Sequence, residues 1–218
     1  VDVVGLDTLV HVANGILENC KDDERLELFK LPDFINHMME NKWLGSKTKQ
    51  GFYKKVDKDI LSLDLNTLEY RPQQKASFQT LELTKTIDKV VDRFKVLVKG
   101  KDKAGDFYRK SFAGLFAYVS NRVPEITDDL YKIDDAMKAG FGWEHGPFQI
   151  WDAIGVEKAL EFMKEIGEKP AAWVQEMLDS GNKSFYTVKE GAIFYYDIAS
   201  KTQKKIPGQD AFIILDNI

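Results

Sequence analysis

The stretch Ile133-Asp-Asp-Ala-Met-Lys-Ala-Gly-Phe-Gly-Trp-Glu-His-Gly-Pro-Phe-Gln-Ile-Trp-Asp-Ala-Ile-Gly-Val-Glu157 contains two short helical patterns joined by a glycine-rich bend. Apolar residues in its first part recur at helical spacing, and Gly140 and Gly142 then supply the backbone freedom that ends a helix. Pro147 suits the first turn of a new helix, because the N–H that proline lacks would be unpaired there anyway. The stretch therefore predicts a helix, a tight corner and a second helix.

The closing phrase of this stretch also occurs at the start of the chain. Asp2-Val-Val-Gly-Leu-Asp7 matches Asp152-Ala-Ile-Gly-Val-Glu157 in residue type at every position. The similarity continues more loosely downstream, with Gly51-Phe-Tyr53 in the first copy and Gly191-Ala-Ile-Phe-Tyr195 in the second. Such self-similarity indicates an internal repeat. The first copy then lacks its beginning, so we expect the chain to be a fragment of a longer protein.

The periodicity of the whole chain predicts a mainly α fold, with two tandem helical repeats that are each followed by a small β-hairpin. The truncated first repeat and its hairpin are assigned to residues 1–71, and a polar linker without periodicity to residues 72–82. The second repeat and its hairpin are assigned to residues 83–207. The tail, residues 208–218, is apolar at its end and is expected to lead towards a further domain.

Two long helices are predicted at the start of the second repeat. The first runs from about Glu82 to Gly100, and the second from about Asp102 to Asn121. Large apolar residues crowd the second helix, which is therefore predicted to be buried on more than one face.

Composition excludes several classes of function. A net charge of −4 argues against a general nucleic-acid binder, which would carry an excess of basic residues. The single cysteine, Cys20, cannot form an internal disulfide, which favours a reducing, cytoplasmic location. Because no long uninterrupted apolar run occurs in the sequence, no membrane span is expected.

The histidines form no convincing catalytic or metal-binding motif. His11, His37 and His145 each lack a second ligand at a spacing typical of metal sites. His145 beside Glu144 is the best acid–base candidate, because a neighbouring carboxylate stabilises a protonated imidazole. Adjacent residues on a turn seldom face one another, however, so a plain surface role is the favoured interpretation.

Asn121 and Arg122, at the end of the crowded helix, are the candidate substrate-binding residues. An amide and a guanidinium there can bind an acyl carbonyl or a phosphate. The alternative is that they cap the helix and pair with Glu125 or Asp128. The residue types alone do not separate the two.

Together these motifs resemble the C-terminal domain of the L-3-hydroxyacyl-CoA dehydrogenase family. The residues that support the resemblance are Ile133-Asp-x-Ala-Met137, Gly140-x-Gly142, Gly146-Pro-Phe148, Asp152 and Gly155, preceded by Asn121-Arg122. The start of the chain and the later phrase Lys47-Thr-Lys-Gln-Gly-Phe-Tyr53 look like the end of another copy of that domain. Lys49 stands where the family usually has glycine.

The resemblance implies a helical domain that packs beside a dinucleotide-binding domain carrying the NAD site and a catalytic His–Glu pair. That N-terminal domain is missing from the sequence, so NAD is expected in the full-length protein, and this fragment alone is expected to bind no cofactor and to be inactive. The resemblance also makes acyl-CoA the expected substrate and places Asn121, followed by Arg122, near its carbonyl group.

Tandem copies of the domain are similar to those of multifunctional β-oxidation enzymes, in which an enoyl-CoA hydratase domain is fused to the dehydrogenase. A fused hydratase domain and a homo-oligomer are therefore further expected partners. Two alternatives stay open. One is an independent helical interaction module, and the other is an acyl-CoA-binding domain that uses the aromatic-rich helix at 107–119 as a pocket wall.

Overall fold

The computed structural model describes residues 1–209, which fall into two compact units. The first unit is Val1–Ala76, and the second begins at Ser77. Residues 210–218 hold most of the tail that is expected to lead towards a further domain, and they lie outside the described residues.

Within residues 1–76, all of which are described, helices precede a small antiparallel sheet. The elements are α1 (Leu6–Asn19), a 3₁₀ turn (Leu26–Phe29), α2 (Asp33–Glu40), a second 3₁₀ turn (Ser46–Thr48), β1 (Tyr53–Val56), β2 (Asp59–Leu63) and β3 (Tyr70–Pro72). The strands lie in the order β1-β2-β3, with Tyr53 opposite Ser62 and Leu63 opposite Tyr70. A compact core beneath them contains Leu6, Ile35, Met38 and Leu63.

The described part of the second unit is mainly helical and ends in a similar sheet. Its elements are α3 (Gln79–Thr84), α4 (Val90–Lys99), α5 (Lys103–Asn121), α6 (Leu130–Phe141), α7 (Pro147–Ile154), α8 (Val156–Ile166), α9 (Ala172–Asp179), β4 (Tyr186–Lys189), β5 (Ala192–Asp197) and β6 (Thr202–Lys205). The strands lie in the order β4-β5-β6. The mainly helical fold class agrees with the sequence prediction, but each unit has a three-stranded sheet in place of the predicted two-stranded hairpin. None of the described helices is both long and apolar enough to cross a membrane.

Helix α5 lies at the centre of the second unit, where it packs against α4, α7 and α8. The rings of Phe112 and Phe116 are stacked with their centroids 5.7 Å apart, and Phe116 stacks in turn on Trp151 at 4.6 Å. Such offset stacks add to the stability that burial alone supplies. The predicted burial of α5 on more than one face is confirmed, although Phe107 at its start is exposed.

The single long helix predicted at 82–100 is wrong, because the structure divides it into α3 and α4. Helix α3 also begins at Gln79, inside the predicted linker. At the break, the Thr84 hydroxyl donates to the carbonyl of Leu81 at 2.8 Å, and Nε of Arg93 donates to the carbonyl of Ile87 at 2.6 Å. These side chains donate to backbone carbonyls near the point where the helical hydrogen bonds are interrupted.

The loose correspondence between Gly51–Tyr53 and Gly191–Tyr195 is also wrong. Tyr53 begins β1, the first strand of its sheet, whereas Tyr195 lies in the middle strand β5. Tyr195 is paired with Tyr186, which begins β4. Tyr186 therefore holds the position in the second sheet that Tyr53 holds in the first, and the sequence prediction missed strand β4.

Candidate functional site

The corner between α6 and α7 is built around Asp134, a fully buried residue of α6. Helix α6 ends at Phe141, and the residue that follows it, Gly142, adopts the left-handed conformation. The Asp134 carboxylate then accepts hydrogen bonds from the backbone N–H groups of Phe148 at 2.9 Å and Gln149 at 3.0 Å, in the first turn of α7. A helix N-terminus presents unpaired N–H groups and a positive dipole end, so Asp134 caps α7 from a different helix.

Gly146 makes this close approach possible. A Cβ atom built on Gly146 would lie 2.3 Å from the Cβ of Asp134, a distance that side chains do not tolerate. Pro147 then occupies the first position of α7, and Oε1 of Gln149 accepts a hydrogen bond from the Gly146 N–H at 3.0 Å. The tight corner predicted from the sequence is thus confirmed. The corner is tight because Gly146, which has no side chain, packs directly against Asp134.

A second aspartate, Asp152 in α7, holds the start of strand β4. Its two carboxylate oxygens accept the backbone N–H groups of Phe185 and Tyr186, each at 2.8 Å. The Tyr186 hydroxyl donates to Oδ2 of Asp134 at 2.9 Å. Asp134 and Asp152, called here the aspartate pair, therefore join α6, α7 and β4 through Tyr186.

Burial raises the pKa values of both members of the aspartate pair. Burial raises the pKa of Asp134 to about 6, although hydrogen bonds from Phe148, Tyr186 and Gln149 oppose the shift. Burial raises the pKa of Asp152 to about 7, and the neighbouring charge of Asp134 adds to the effect. All four carboxylate oxygens accept hydrogen bonds from the protein itself. The pair is therefore suited to hold the fold together rather than to act on a ligand.

Asn121 and Arg122 lie where α5 ends, and their side chains differ in exposure. The side-chain amide of Asn121, an exposed residue, donates to the carbonyl of Ala117 at 2.9 Å. The Arg122 guanidinium lies 4.8 Å from the centre of the Tyr118 ring and forms an ion pair with Glu125 at 3.1 Å. Arg122 is thus held by its own helix end, while Asn121 is presented at the surface.

The structure does not bring the histidines into a catalytic arrangement. Nε2 of His145 lies 3.6 Å from a carboxylate oxygen of Glu144, which is beyond hydrogen-bonding distance, and the His145 ring packs edge-on against Phe94. His11 is exposed on α1. Over residues 1–209, no cluster of three or more histidine, cysteine or acidic side chains could hold a metal ion.

The first unit contains a hydrogen-bond arrangement like that of Asp152. The two carboxylate oxygens of Asp2 accept the backbone N–H groups of Phe52 at 3.0 Å and Tyr53 at 2.9 Å. Sequence reasoning identified Asp2 and Asp152 as part of a repeated phrase but missed their partners. The dipeptide Phe-Tyr, which occurs at 52–53 and again at 185–186, is the signal that could have found them.

The glycine pair Gly140 and Gly142 does not form a dinucleotide-binding turn. Such cofactors place their phosphates at a helix N-terminus that follows a parallel strand. Gly140 lies inside α6 and Gly142 follows its last residue, so this glycine pair belongs to a helix C-terminus. Within residues 1–209, both sheets are antiparallel.

Comparisons with known proteins identify the region that contains the aspartate pair. Residues 112–196 match the family model of the 3-hydroxyacyl-CoA dehydrogenase, C-terminal domain. A probable 3-hydroxyacyl-CoA dehydrogenase of Bacillus subtilis (strain 168) is 43% identical over 196 residues, which cover 90% of this chain and 25% of that protein. No solved structure matches the chain.

Two relatives have names that refer to fatty acid oxidation. A fatty acid oxidation complex subunit alpha of Psychrobacter cryohalolentis is 39% identical over 170 residues, covering 73% of this chain and 20% of that protein. A putative fatty acid oxidation complex trifunctional enzyme of Rickettsia felis is 27% identical over 158 residues, covering 68% and 20%. The chain thus spans a quarter or less of the length of these curated relatives. From these matches, residues 112–196 are similar to the C-terminal domain of the 3-hydroxyacyl-CoA dehydrogenase family.

Proposed function

We propose that this chain is the C-terminal helical portion of an NAD-dependent 3-hydroxyacyl-CoA dehydrogenase of fatty-acid β-oxidation. The observation that supports this most directly is the 43% identity to the Bacillus subtilis protein over nearly the whole chain. The chain forms part of the wall of the acyl-CoA cleft and makes contacts with other domains or subunits. Alone, it does not transfer hydride, because the NAD site and the catalytic His–Glu pair belong to a separate dinucleotide-binding domain.

In this proposal Asn121 and Arg122 are the substrate-binding residues, and Asn121 contacts the acyl-CoA carbonyl. The ion pair with Glu125 and the contact with the Tyr118 ring keep the Arg122 side chain in place at the end of α5. The Asn121 amide is exposed beside this fixed group, and an amide N–H is a suitable donor to a carbonyl oxygen.

The partners follow from the same proposal. A dinucleotide-binding domain lies against the helical portion, and a fused enoyl-CoA hydratase domain and a homo-oligomer are further candidates. The names of the Rickettsia and Psychrobacter relatives, which refer to a trifunctional enzyme and a complex subunit, are in line with a larger assembly.

We also propose that the two units are tandem copies of one domain, the first assigned to residues 1–71 and the second to 83–207. The helices support this assignment. Gly5 with φ 117° precedes α1, and Gly155 with φ 100° precedes α8. Helices α2 and α9 each have eight residues and bury the third and sixth of them.

The sheets support the same assignment in more detail. Besides the Asp2 and Asp152 contacts, Leu63 N–H donates to the carbonyl of Phe52 at 2.8 Å, and Tyr196 N–H donates to that of Phe185 at 2.7 Å. The turn between the first two strands contains a left-handed residue in both sheets, with φ values of 53° and 52°. Matched hydrogen bonds and matched turn conformations are difficult to explain by chance.

A chimeric enzyme tests the proposed function. The matching quarter of the Bacillus subtilis relative is replaced by this chain, and NADH formation from 3-hydroxybutyryl-CoA is measured. We expect an active chimera in which Asn121→Ala raises the KM for acyl-CoA about tenfold, the effect of one lost hydrogen bond of ~1.4 kcal/mol, and leaves the KM for NAD unchanged.

Asn19→Ala is the matched control, because Asn19 ends α1 and its amide donates to the carbonyl four residues earlier at 2.7 Å, as that of Asn121 does. Equal effects of the two substitutions would contradict the role of Asn121. Calorimetry on the isolated chain with NAD and with acetoacetyl-CoA tests whether the chain alone binds cofactor or substrate. Tight NAD binding, or NADH formation by the chain alone, would defeat the proposal.

A further inference from the structure

Helix α8 of the second unit shows which positions a helix in this place buries. Val156, Ala159, Phe162 and Met163 are all buried, with Ala159 0% and Phe162 6% exposed. Helix α5 packs against α8. In the second unit, therefore, the long aromatic-rich helix α5 packs against the helix that buries these four residues.

Helix α1 of the first unit has apolar residues at the same four positions after its glycine, but two of them are exposed. Leu6 and Ala13 are buried at 0% and 4% exposure. Leu9 and Val12, which correspond to Ala159 and Phe162 of α8, are exposed at 39% and 52%. One edge of the apolar stripe is thus covered within the first unit, and the other edge is not.

The exposed apolar residues of α1 belong to a regular stripe and are not scattered over a polar helix. Apolar side chains stand at all four positions that α8 buries, so the sequence of α1 is suited to the same kind of contact. Each Å² of apolar surface removed from water contributes ~25 cal/mol, which favours covering Leu9 and Val12 by another apolar surface.

From this comparison we propose that the surface around Leu9 and Val12, called here the α1 face, binds an amphipathic helix of the α5 type. The occupant has large apolar and aromatic residues on one stripe together with small residues, as α5 buries Phe112, Ala113 and Phe116. The inference rests on the proposed equivalence of the two units and on the packing of α5 against α8.

A fluorescently labelled peptide with the sequence of α5, residues 103–121, is the probe. Its anisotropy is measured against the full chain. We expect saturable binding that Val12→Asp weakens at least tenfold, since the substitution places a charge in the centre of the apolar contact. Leu9→Ser is a second, milder variant with the same expected direction. Asn14→Asp adds the same charge at an exposed position of α1 and leaves binding unchanged.

Circular dichroism confirms that each variant is folded before binding is compared. The absence of saturable binding, or equal binding by the Val12→Asp and Asn14→Asp chains, would overturn the proposal. So would self-association of the chain through Leu9 and Val12 in place of peptide binding, because the occupant is then a second copy. Neither acyl-CoA nor NAD takes part in this measurement, so its failure is distinct from a failure of the proposed dehydrogenase function.

Discussion

Among single residues, Gly146 is the one on which the corner between α6 and α7 depends most directly. Because a Cβ atom there would lie 2.3 Å from the Cβ of Asp134, we expect Gly146→Ala to lower the free energy of unfolding by ~2–3 kcal/mol. A Cβ atom added at Gly140, inside α6, would meet no neighbouring group within 4 Å. Gly140→Ala should raise stability by ~0.5–1 kcal/mol, because alanine is the better helix former.

Urea denaturation of both variants measures these effects. Since both substitutions add one methyl group near the same corner, the opposite signs separate a steric effect from a general effect of added volume. A stable Gly146→Ala protein would show that α7 can move away from Asp134 at little cost, and that the corner is not fixed by this contact.

The aspartate pair makes stability depend on pH. The pKa of Asp152 is about 7 in the folded chain and about 4 in an unfolded one, so the folded state binds the proton more tightly. This stabilisation is complete below about pH 4 and is lost as the pH rises towards 7. We therefore expect the free energy of unfolding to fall between about pH 4 and about pH 7. Asp134, with a pKa of about 6, acts in the same direction.

Asp152→Asn tests this, because an amide keeps the shape of the side chain but does not titrate. Chemical denaturation at a series of pH values should give a shallower slope for Asp152→Asn than for the wild type, with a remainder due to Asp134. Asp135→Asn, at an exposed position of α6 paired with Lys138, should keep the wild-type slope. An unchanged slope in Asp152→Asn would show that Asp152 is ionised throughout this range.

Among the elements, the first sheet is attached to the rest of its unit through Asp2. We expect Asp2→Ala to increase amide hydrogen exchange at Phe52 and Tyr53 at least tenfold, because both N–H groups lose their acceptor. Asp7→Ala is the control. Asp7 pairs with Lys47 at the surface, where ion pairs contribute little, so exchange at Phe52 should not change. Equal exchange in the two variants would mean that the strand pairing alone orders this segment.

The elements predicted correctly from the sequence are those whose signals, such as apolar periodicity, a capping residue or a proline, lie within or next to the element. Helix α5 has its apolar periodicity and an aspartate, Asp102, whose side chain accepts the N–H of Gly105. The corner has its glycines and Pro147. Strand β4 and the break between α3 and α4 could not be predicted in this way. The start of β4 is held by Asp152, which lies 33 residues before Phe185 in sequence. The break between α3 and α4 is accompanied by hydrogen bonds from the side chains of Thr84 and Arg93 to backbone carbonyls.

The same distinction applies to the candidate site. The resemblance singled out Asp134 and Asp152 by residue type, but their roles depend on partners 14 to 52 residues away in sequence. The sequence named both possible roles of Arg122, and the structure adds the Glu125 pair and the Tyr118 contact. Whether Asn121 contacts substrate depends on groups outside this chain and stays a prediction.

For the whole molecule, the division at Ala76 has a consequence that proteolysis can test. Residues 73–77 are exposed and have no regular secondary structure. Exposed irregular segments between compact units are cleaved first by proteases, since they can adopt the extended conformation that a protease requires. Lys75 is a trypsin site in this segment, whereas Arg71 precedes Pro72 and is poorly cleaved. Limited trypsin digestion should therefore first produce two fragments, residues 1–75 and 76–218, identified by mass spectrometry.

Lys75→Gln removes the expected site without changing the neighbouring elements, and it should delay the first cleavage at least tenfold at the same trypsin concentration. The nearest competing site is Lys85, in the break that follows α3, where the side chain pairs with Glu82 at 2.7 Å. First cleavage at Lys85 in the wild-type chain would mean that α3 belongs to the connection between the units, as the predicted linker at 72–82 implies in part. First cleavage at Lys75 instead places α3 in the second unit, where Thr80 donates to the α5 cap Asp102 through both its N–H and its hydroxyl.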